Sequence, residues 1–521
     1  MKKNKIENLL HSKGYVSIET LIVAGLIIAT GAFLTSKLVW KGKDVANSNN
    51  KNMINASKTM DDNSFSSNMP TDSSSQVQEA KHSVENPSDL SDFDYAIIDD
   101  NYINGELKKL DEEINNRPSD IPAPPPEVIN DMKAPIQKLK EFNGGIIITG
   151  YHGNKSDIEI PSYIDGKEVK VIAPMAFTPK PPKPSELKEK NYIPEPPKGK
   201  LKSVKLPNTL KYIGEYAFAF NQLTEITIPD SVTEIGRCAF QNNNLTSIKL
   251  SGNLIRIEPC AFAFNQLTEI TIPDSVAEIG SNAFRNNNLT SIKLDSNLKK
   301  IEDFAFSNNK LESVIVPDSV TEIGFSAFGD NNLTSIKLGS NLNKIKDYAF
   351  SSNKLESVTI PDSIIEINEC VFCDNNLKSI KLGSNLKRIG RNAFSNNKLE
   401  LVTIPDSVTE IDEFAFSKNN LKSIKLGSNL KRIGRNAFSN NKLELATIPD
   451  SVIEIDECAF ERNTLKSIKL GSNLKRIGKF AFSDNKLESV IVPDSVTDLS
   501  DSAFIFNPLK TKTIPKNCKE G

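Results

Sequence analysis

Three kinds of side chain recur in this sequence at regular spacing and could do chemistry. Aspartates stand in Pro-Asp-Ser turns at Asp230, Asp274, Asp318, Asp362, Asp406, Asp450 and Asp494. Carboxylates so repeated suggest calcium ligation or acid–base work. Thiols form a second set: Cys238, Cys260, Cys370 and Cys458 each stand two residues before a recurring Phe, Cys373 follows one, and Cys518 is near the end. Ammonium groups form the third, as Lys249, Lys293, Lys337, Lys381, Lys425 and Lys469, with the spacing to hold an extended acidic ligand.

Most of this chemistry fails on spacing. The aspartates lie two coils apart, roughly 10 Å by strand spacing. A calcium ion needs its oxygens at about 2.3–2.6 Å, so they cannot share one. The three histidines, His11, His82 and His152, lie outside the regular repeats, which excludes Ser-His and Cys-His sites there. No Gly-rich phosphate loop or nucleophile elbow appears. The Cys370-x-x-Cys373 pair lacks the second ligand pair of a structural zinc site. We therefore expect no enzyme activity, no cofactor and no metal. Cys238 and Cys260 occupy one column of adjacent coils, with Cα atoms about 4.8 Å apart. That separation suits a disulfide and parallel Cβ vectors do not, so both a bond and plain thiols stay open. Net charge is -2 from 64 basic and 66 acidic residues, so no global field draws nucleic acid or a membrane surface.

The element that positions these groups is a 22-residue unit. Its Phe recurs at 218, 240, 262, 284, 306, 328, 350, 372, 394, 416, 438, 460, 482 and 504, with an Asn three and a Leu five residues later. A fixed period in this range means a solenoid whose coils bury their apolar faces by stacking. Within each unit LxxIxI, as in Leu223, Ile226 and Ile228, reads as a strand with alternate residues inward. The Ala-Phe pair reads as a short helical or 3-10 turn, and Val371 is the exception to Ala. The Asn amide can satisfy backbone groups that no ladder reaches, so that column reads as structural.

Leu223–Phe240, LTEITIPDSVTEIGRCAF, resembles the BspA-like branch of leucine-rich repeats, and GYHGNKSDIEIPSYIDGKEVKVI resembles its entry unit. The resemblance covers about Asn143 to Pro515 and departs from the branch in having Asn where Cys is frequent. It implies a mainly β solenoid of about 15 coils. It also implies a bacterial surface protein, often an adhesin, though not its ligand.

The units alternate in a 44-residue super-repeat. The residue before the core Ile or Leu runs Glu234, Arg256, Glu278, Lys300, Glu322, Lys344, Glu366, Arg388, Glu410, Arg432, Glu454, Arg476, Asp498. A second alternating column runs from Glu356 through Lys378, Glu400, Lys422, Glu444, Lys466 and Glu488 to Lys510. Each charge is expected to meet an opposite one above and below, so most of the charge joins coil to coil. Asn375–Leu401 and Asn419–Leu445 are identical over 27 residues, the mark of duplication in an array. What is left for binding is the outward side of the strands, a concave ribbon of Thr and the six lysines with Leu401 and Leu445 beside it.

The other end of the chain differs. Tyr15–Ser36 is a 22-residue apolar run whose only charge is Glu19. At ~1.5 Å per residue it can span a bilayer core of about 30 Å. Lys13-Gly14-Tyr15-Val16-Ser17-Ile18-Glu19 resembles the prepilin signal of type IV pilins. That resemblance implies cleavage between Gly14 and Tyr15 by prepilin peptidase and methylation of Tyr15. It also implies that Glu19 neutralises the amine of a neighbouring pilin subunit.

The expected organisation is a leader (1–14), a transmembrane helix (15–40) and a flexible low-complexity linker (41–142) with one amphipathic helix through Ile103, Leu107, Leu110 and Ile114. A cap and first coil (143–177), a Pro-rich insert (178–200), the array (201–515) and a tail (516–521) complete it. The reading is a pilin-like surface adhesin, anchored in the membrane or pilus-associated, whose extracellular repeats bind a protein or polysaccharide and no nucleic acid. The alternative is a signal-anchored envelope protein with a structural or protein-interaction role and no pilus function. An exported enzyme is more distant.

Overall fold

The structure is a computed structural model that describes residues 89–117, 122–179, 199–516 and 518–520. Among them, residues 98–143 belong to one compact unit and the rest to a second. The second is the solenoid.

It opens with β1 (Phe93–Ile97), antiparallel to β2 (Ile146–Tyr151). After β3 (Asp157–Glu159), the strands β4 (Tyr163–Ile164) and β5 (Lys167–Ile172) form a hairpin. Its turn, Asp165-Gly166, has φ of 50° and 74°, the left-handed pair that Asp-Gly favours. β2 then pairs in parallel with β5, and that ladder continues into Tyr212–Ile213 and Glu234–Ile235. β1 falls in the stretch expected to be linker. It is ordered because the first coil needs a cover: Phe93 packs on Tyr151 at 5.3 Å and Phe177 at 6.4 Å.

From there fifteen Phe rings, Phe177 to Phe504, stack face to face with centroids 4.7–5.6 Å apart. All but the end pair are fully buried. Phe177 and Phe218 stack directly although 41 residues separate them, where every later step takes 22. The spacing exceeds one coil by nineteen residues, and residues 180–198 of the Pro-rich insert lie outside the described residues.

The Ala-Phe turn is not a 3-10 helix. The residues two before and two after each Phe from Phe218 to Phe482 are left-handed, as Asn392 and Asn396 (both φ 54°) around Phe394. A helix of either kind needs negative φ throughout. Asn and Asp tolerate this region best, and they fill many of these sites.

Each coil supplies two strands. The shorter is a two-residue bridge such as Arg388–Ile389, in ladders running Arg256 to Ile345 and Glu366 to Glu520. The expected tail thus carries the ladder's last rung, Lys519–Glu520 against Asp498–Leu499. The longer has three residues, such as Ser379–Lys381, and pairs only in twos: 357–359 with 379–381, 401–403 with 423–425. The 44-residue super-repeat is therefore a unit of backbone pairing as well as of sequence.

The first unit contains α1 (Asp100–Asn115) and α2 (Pro126–Lys138). Asp99 caps α1 by accepting from the Tyr102 N–H at 2.7 Å. Ile103 is buried and Leu107, Leu110 and Ile114 are half-buried, as the amphipathic pattern predicts. α2 was not expected inside a Pro-rich linker. It starts on Pro126 at its first turn, where a missing N–H costs nothing, and Lys133 pairs with Asp111 of α1 at 2.7 Å. Residues 1–88, and with them the expected leader and membrane helix, lie outside the described residues. No helix among the described residues is long and apolar enough to cross a membrane.

Candidate functional site: the outward face of the strands

The three-residue strand puts its middle residue inward and its flanking residues into solvent. In Ser379-Ile380-Lys381 the Ser and Lys are exposed, and in Leu401-Val402-Thr403 Val402 is buried between exposed neighbours. Lys249, Lys293, Lys337, Lys381, Lys425 and Lys469 all occupy the exposed third position. In register, Thr359 stands beside Lys381, Thr403 beside Lys425 and Thr447 beside Lys469. The sequence placed these residues on one face, and the strands bring them there.

Charge divides this face into two columns. Lys378, Lys422, Lys466 and Lys510 pair with Glu356, Glu400, Glu444 and Glu488 at 3.0, 2.9, 2.8 and 2.8 Å. Those pairs form only within a super-repeat and not to the coil on the other side, because the strands themselves pair only in twos. None of the six lysines at the third position forms an ion pair with a described residue. Their neighbours are the Pro-Asp-Ser carboxylates, which are already engaged. Asp362 accepts from the Ser384 N–H at 2.6 Å and the Ser384 hydroxyl at 2.9 Å. Asp318, Asp406 and Asp450 accept from the N–H of Ser340, Ser428 and Ser472, each at 2.7 Å. Those backbone N–H groups hold all four carboxyls below the usual range, with the neighbouring Lys charge a smaller cause. These aspartates tie coil to coil.

Apolar side chains interrupt the same face. Leu401 and Leu445 are 57% and 63% exposed, and Ile315 and Ile491 are 68% and 74% exposed. The two isoleucines carry no signal beyond replacing the Thr of their column. Immediately before the shorter strands, Ile365 and Ile453 are also exposed, each just after a buried Ile364 or Val452. A doubled β-branched pair must send one member outward.

The first charge column meets the expectation on both sides at Arg388 and Arg476. It pairs Arg256, Lys344 and Arg432 with Glu278, Glu322 and Glu454, turns Lys300 to Glu302 instead, and gains a layer. Arg388 meets Glu366 at 2.6 Å and Glu410 at 4.0 Å in the neighbouring coils, and also Asp412 at 2.7 Å. Arg476 reaches Glu454, Asp456 and Asp498. Burial raises the Asp456 carboxyl against the pull of Arg432 and Arg476.

The disulfide is not where the column suggested. It joins Cys370 to Cys373 inside one turn, and Cys238 is not bonded to Cys260. Both sit at the same left-handed position with φ of 55° and 56°, so their Cβ vectors run parallel and do not converge. The Cys370, Cys373 and Asp374 ligand atoms lie within 4.8 Å of one another, but the thiols are joined. Gly14, Tyr15 and Glu19 lie outside the described residues.

The family model for the BspA type leucine rich repeat region matches residues 197–311, 299–422 and 409–520. Among solved structures, a leucine rich cell surface protein from Faecalibacterium prausnitzii is 21% identical, with 71% of this chain and 90% of that one covered at a TM-score of 0.35. A leucine-rich repeat protein from Bacteroides ovatus is 20% identical, with 72% and 86% covered and a TM-score of 0.45. The pneumococcal vaccine antigen PcpA is 20% identical, with 70% and 83% covered and a TM-score of 0.33. No curated protein matches the chain.

Proposed function

The chain belongs to the BspA-type leucine-rich repeat family, and from that membership we propose that it is a bacterial surface adhesin that binds through the outward face of its three-residue strands. One observation carries the reading. Paired lysines (Lys378, Lys422, Lys466) stand immediately before the strands whose exposed third residues are lysines with no ion-pair partner among the described residues (Lys381, Lys425, Lys469). The first set supports the coil stack. The second forms no ion pair with a described residue, and its charge is only a minor cause of the low Pro-Asp-Ser carboxyls.

An ammonium row with exposed Ile315, Leu401, Leu445 and Ile491 suits an acidic ligand with apolar parts, on a host protein or a polysaccharide. Repeat proteins bind partners on such extended faces. The face repeats every super-repeat, which fits an extended ligand better than a small molecule.

The anchor in this reading is the apolar run from Tyr15. Prepilin peptidase cleaves after Gly14, and Glu19 then meets the amine of a neighbouring pilin subunit in the membrane or a filament. The repeats stand outside the cell. N-terminal sequencing of the mature protein tests this half: methylated Tyr15 supports it, and an intact Met1 overturns it. Binding of charge-reversed variants to cells tests the other half.

A further inference from the structure

The coil from Glu366 to Asp374 departs from the array in four ways. The two-residue ladder, which also breaks between Ile235 and Arg256, is interrupted immediately before it, ending at Ile345 and resuming at Glu366. The missing rung is replaced by a side chain, with Asn368 Nδ2 donating to the Ile345 carbonyl at 2.7 Å. Val371 stands where the other regular coils have Ala before the spine Phe. Cys370 and Cys373 bracket Phe372 and are joined.

The scaffold explains how the two sulfurs meet. In these turns the residue two before the Phe and the residue just after it face each other. Arg285 Nη1 donates to Asn282 Oδ1 at 3.2 Å in this way, and the Cys373 N–H donates to the Cys370 carbonyl at 3.4 Å. Only one coil has Cys at both positions. Cys238, Cys260 and Cys458 face Gln241, Ala263 and Glu461 instead. The adjacent coils offer Tyr348 with Ser351 and Asn392 with Ser395, so no neighbouring thiol can reshuffle with the pair. A bond within one turn links no coil to another, so it is not a staple of the stack. Cys370 keeps 9% of its surface in solvent and Cys373 only 1%.

We propose that Cys370–Cys373 is an exchangeable disulfide whose Cys370 sulfur accepts an external thiol, giving this surface a site for covalent thiol capture. The incoming thiolate attacks Cys370 Sγ. A new S–S bond forms there, the Cys370–Cys373 bond breaks, and the electron pair leaves on Cys373 Sγ, which takes a proton from water. A second thiolate then attacks the captured sulfur. It leaves as a disulfide with the first thiol, and both cysteines become thiols. Two thiols are oxidised for each protein disulfide reduced.

The test uses the folded full chain and glutathione, with acid quenching, alkylation and peptide mapping. In the native protein, reduced glutathione should open Cys370–Cys373 and render both alkylatable. Opening only in denaturant would overturn the proposal. In Cys373→Ser, oxidised glutathione should leave a stable adduct on Cys370, counted by peptide mapping apart from any on the thiols of Cys260 and Cys518, since no resolving thiol remains. In Cys370→Ser the adduct on Cys373 should be at least tenfold slower. Equal rates would overturn Cys370 as the accepting sulfur. The native-protein arm needs no substitution, so a variant that fails to fold does not spare the proposal.

Discussion

The side-chain amide of Asn397 donates to the carbonyl oxygen of Phe372, one coil back, at 2.9 Å. The same amide reaches Phe394 O and Ser395 O at 3.2 Å each, and Asn397 Oδ1 accepts from the Leu377 N–H at 2.9 Å. The arrangement repeats at Asn353, Asn375, Asn419 and Asn441 with nearly the same lengths. One side chain thus satisfies a buried donor and buried acceptors in two coils at once.

Asn397→Ala should orphan the Leu377 N–H and leave Phe372 O with only the longer bond from the Asn375 amide at 3.3 Å, and a buried unsatisfied group costs about 1–3 kcal/mol. Asn397→Asp should be worse near neutral pH, because its carboxylate would face three carbonyl oxygens and offer no donor. Urea unfolding of both variants checks this order. An alanine variant as stable as the parent would mean that water replaces the amide.

Phe394→Ala removes a fully buried ring between Phe372 and Phe416, whose centroids lie 5.6 and 5.4 Å away. The expected loss is about 3–5 kcal/mol. Phe394→Leu should lose less, since part of the volume stays filled. Equilibrium unfolding followed by circular dichroism reads both.

The regular array is legible in the sequence because its cause is local and repeated. Phe, Asn and Leu at fixed offsets force one coil shape, and the alternation of Glu and Arg follows from stacking distance alone. The pairing of long strands in twos is less visible, since it depends on how each coil tilts against the next. The left-handed residues beside each Phe escape notice because Asn, Cys, Phe and Lys all occupy them, where Gly would have signalled positive φ. β1 is hidden for another reason: five residues in a polar stretch become a strand only because Phe93 covers the end of the spine. The unpaired lysines could be read by column, but which lysines had partners needed side-chain positions.

The two charge columns should differ in a measurable way. Arg388→Glu would face Glu366 and Glu410 on both sides and Asp412 as well. At up to about 1 kcal/mol per like-charge contact on a partly exposed surface, the loss should be about 1–3 kcal/mol. Lys378→Glu would oppose Glu356 alone and lose up to about 1 kcal/mol. Molar salt should shrink both. Equal losses would show that the second column couples across super-repeats after all.

Acid should loosen the stack. The Ser N–H groups hold Asp318, Asp362, Asp406 and Asp450 low, and the Lys partners hold Glu400, Glu444 and Glu488 low. A carboxyl whose folded pKa is depressed stabilises the fold above its unfolded value, about 4, and loses that contribution as pH falls through its folded value. Burial raises Glu215, Asp330 and Asp456, which act in the opposite sense and gain as pH falls. The seven depressed groups outnumber them, so stability should hold near neutrality and decline below about pH 4. Replacing Asp362, Asp406 and Asp450 with Asn removes three titrating groups, and the decline measured by thermal unfolding should become shallower.

Binding separates the lysines by what they already hold. Lys337, Lys381 and Lys425 are exposed third residues of their strands. Changing all three to Glu should keep the fold and cost a little stability, since each new carboxylate stands near Asp318, Asp362 or Asp406. It should cut binding to an acidic polysaccharide such as alginate, or to cells, by tenfold or more. Changing Lys378, Lys422 and Lys466 to Gln instead should lower stability slightly and leave binding within about twofold, because those ammonium groups already meet a carboxylate. The parent's binding should also fall with salt, since exposed charges act within about 10 Å at 0.1 M ionic strength. Unchanged binding in the Glu variant, with the fold intact, would remove the strand face as the binding surface and leave it a solvated side of the sheet.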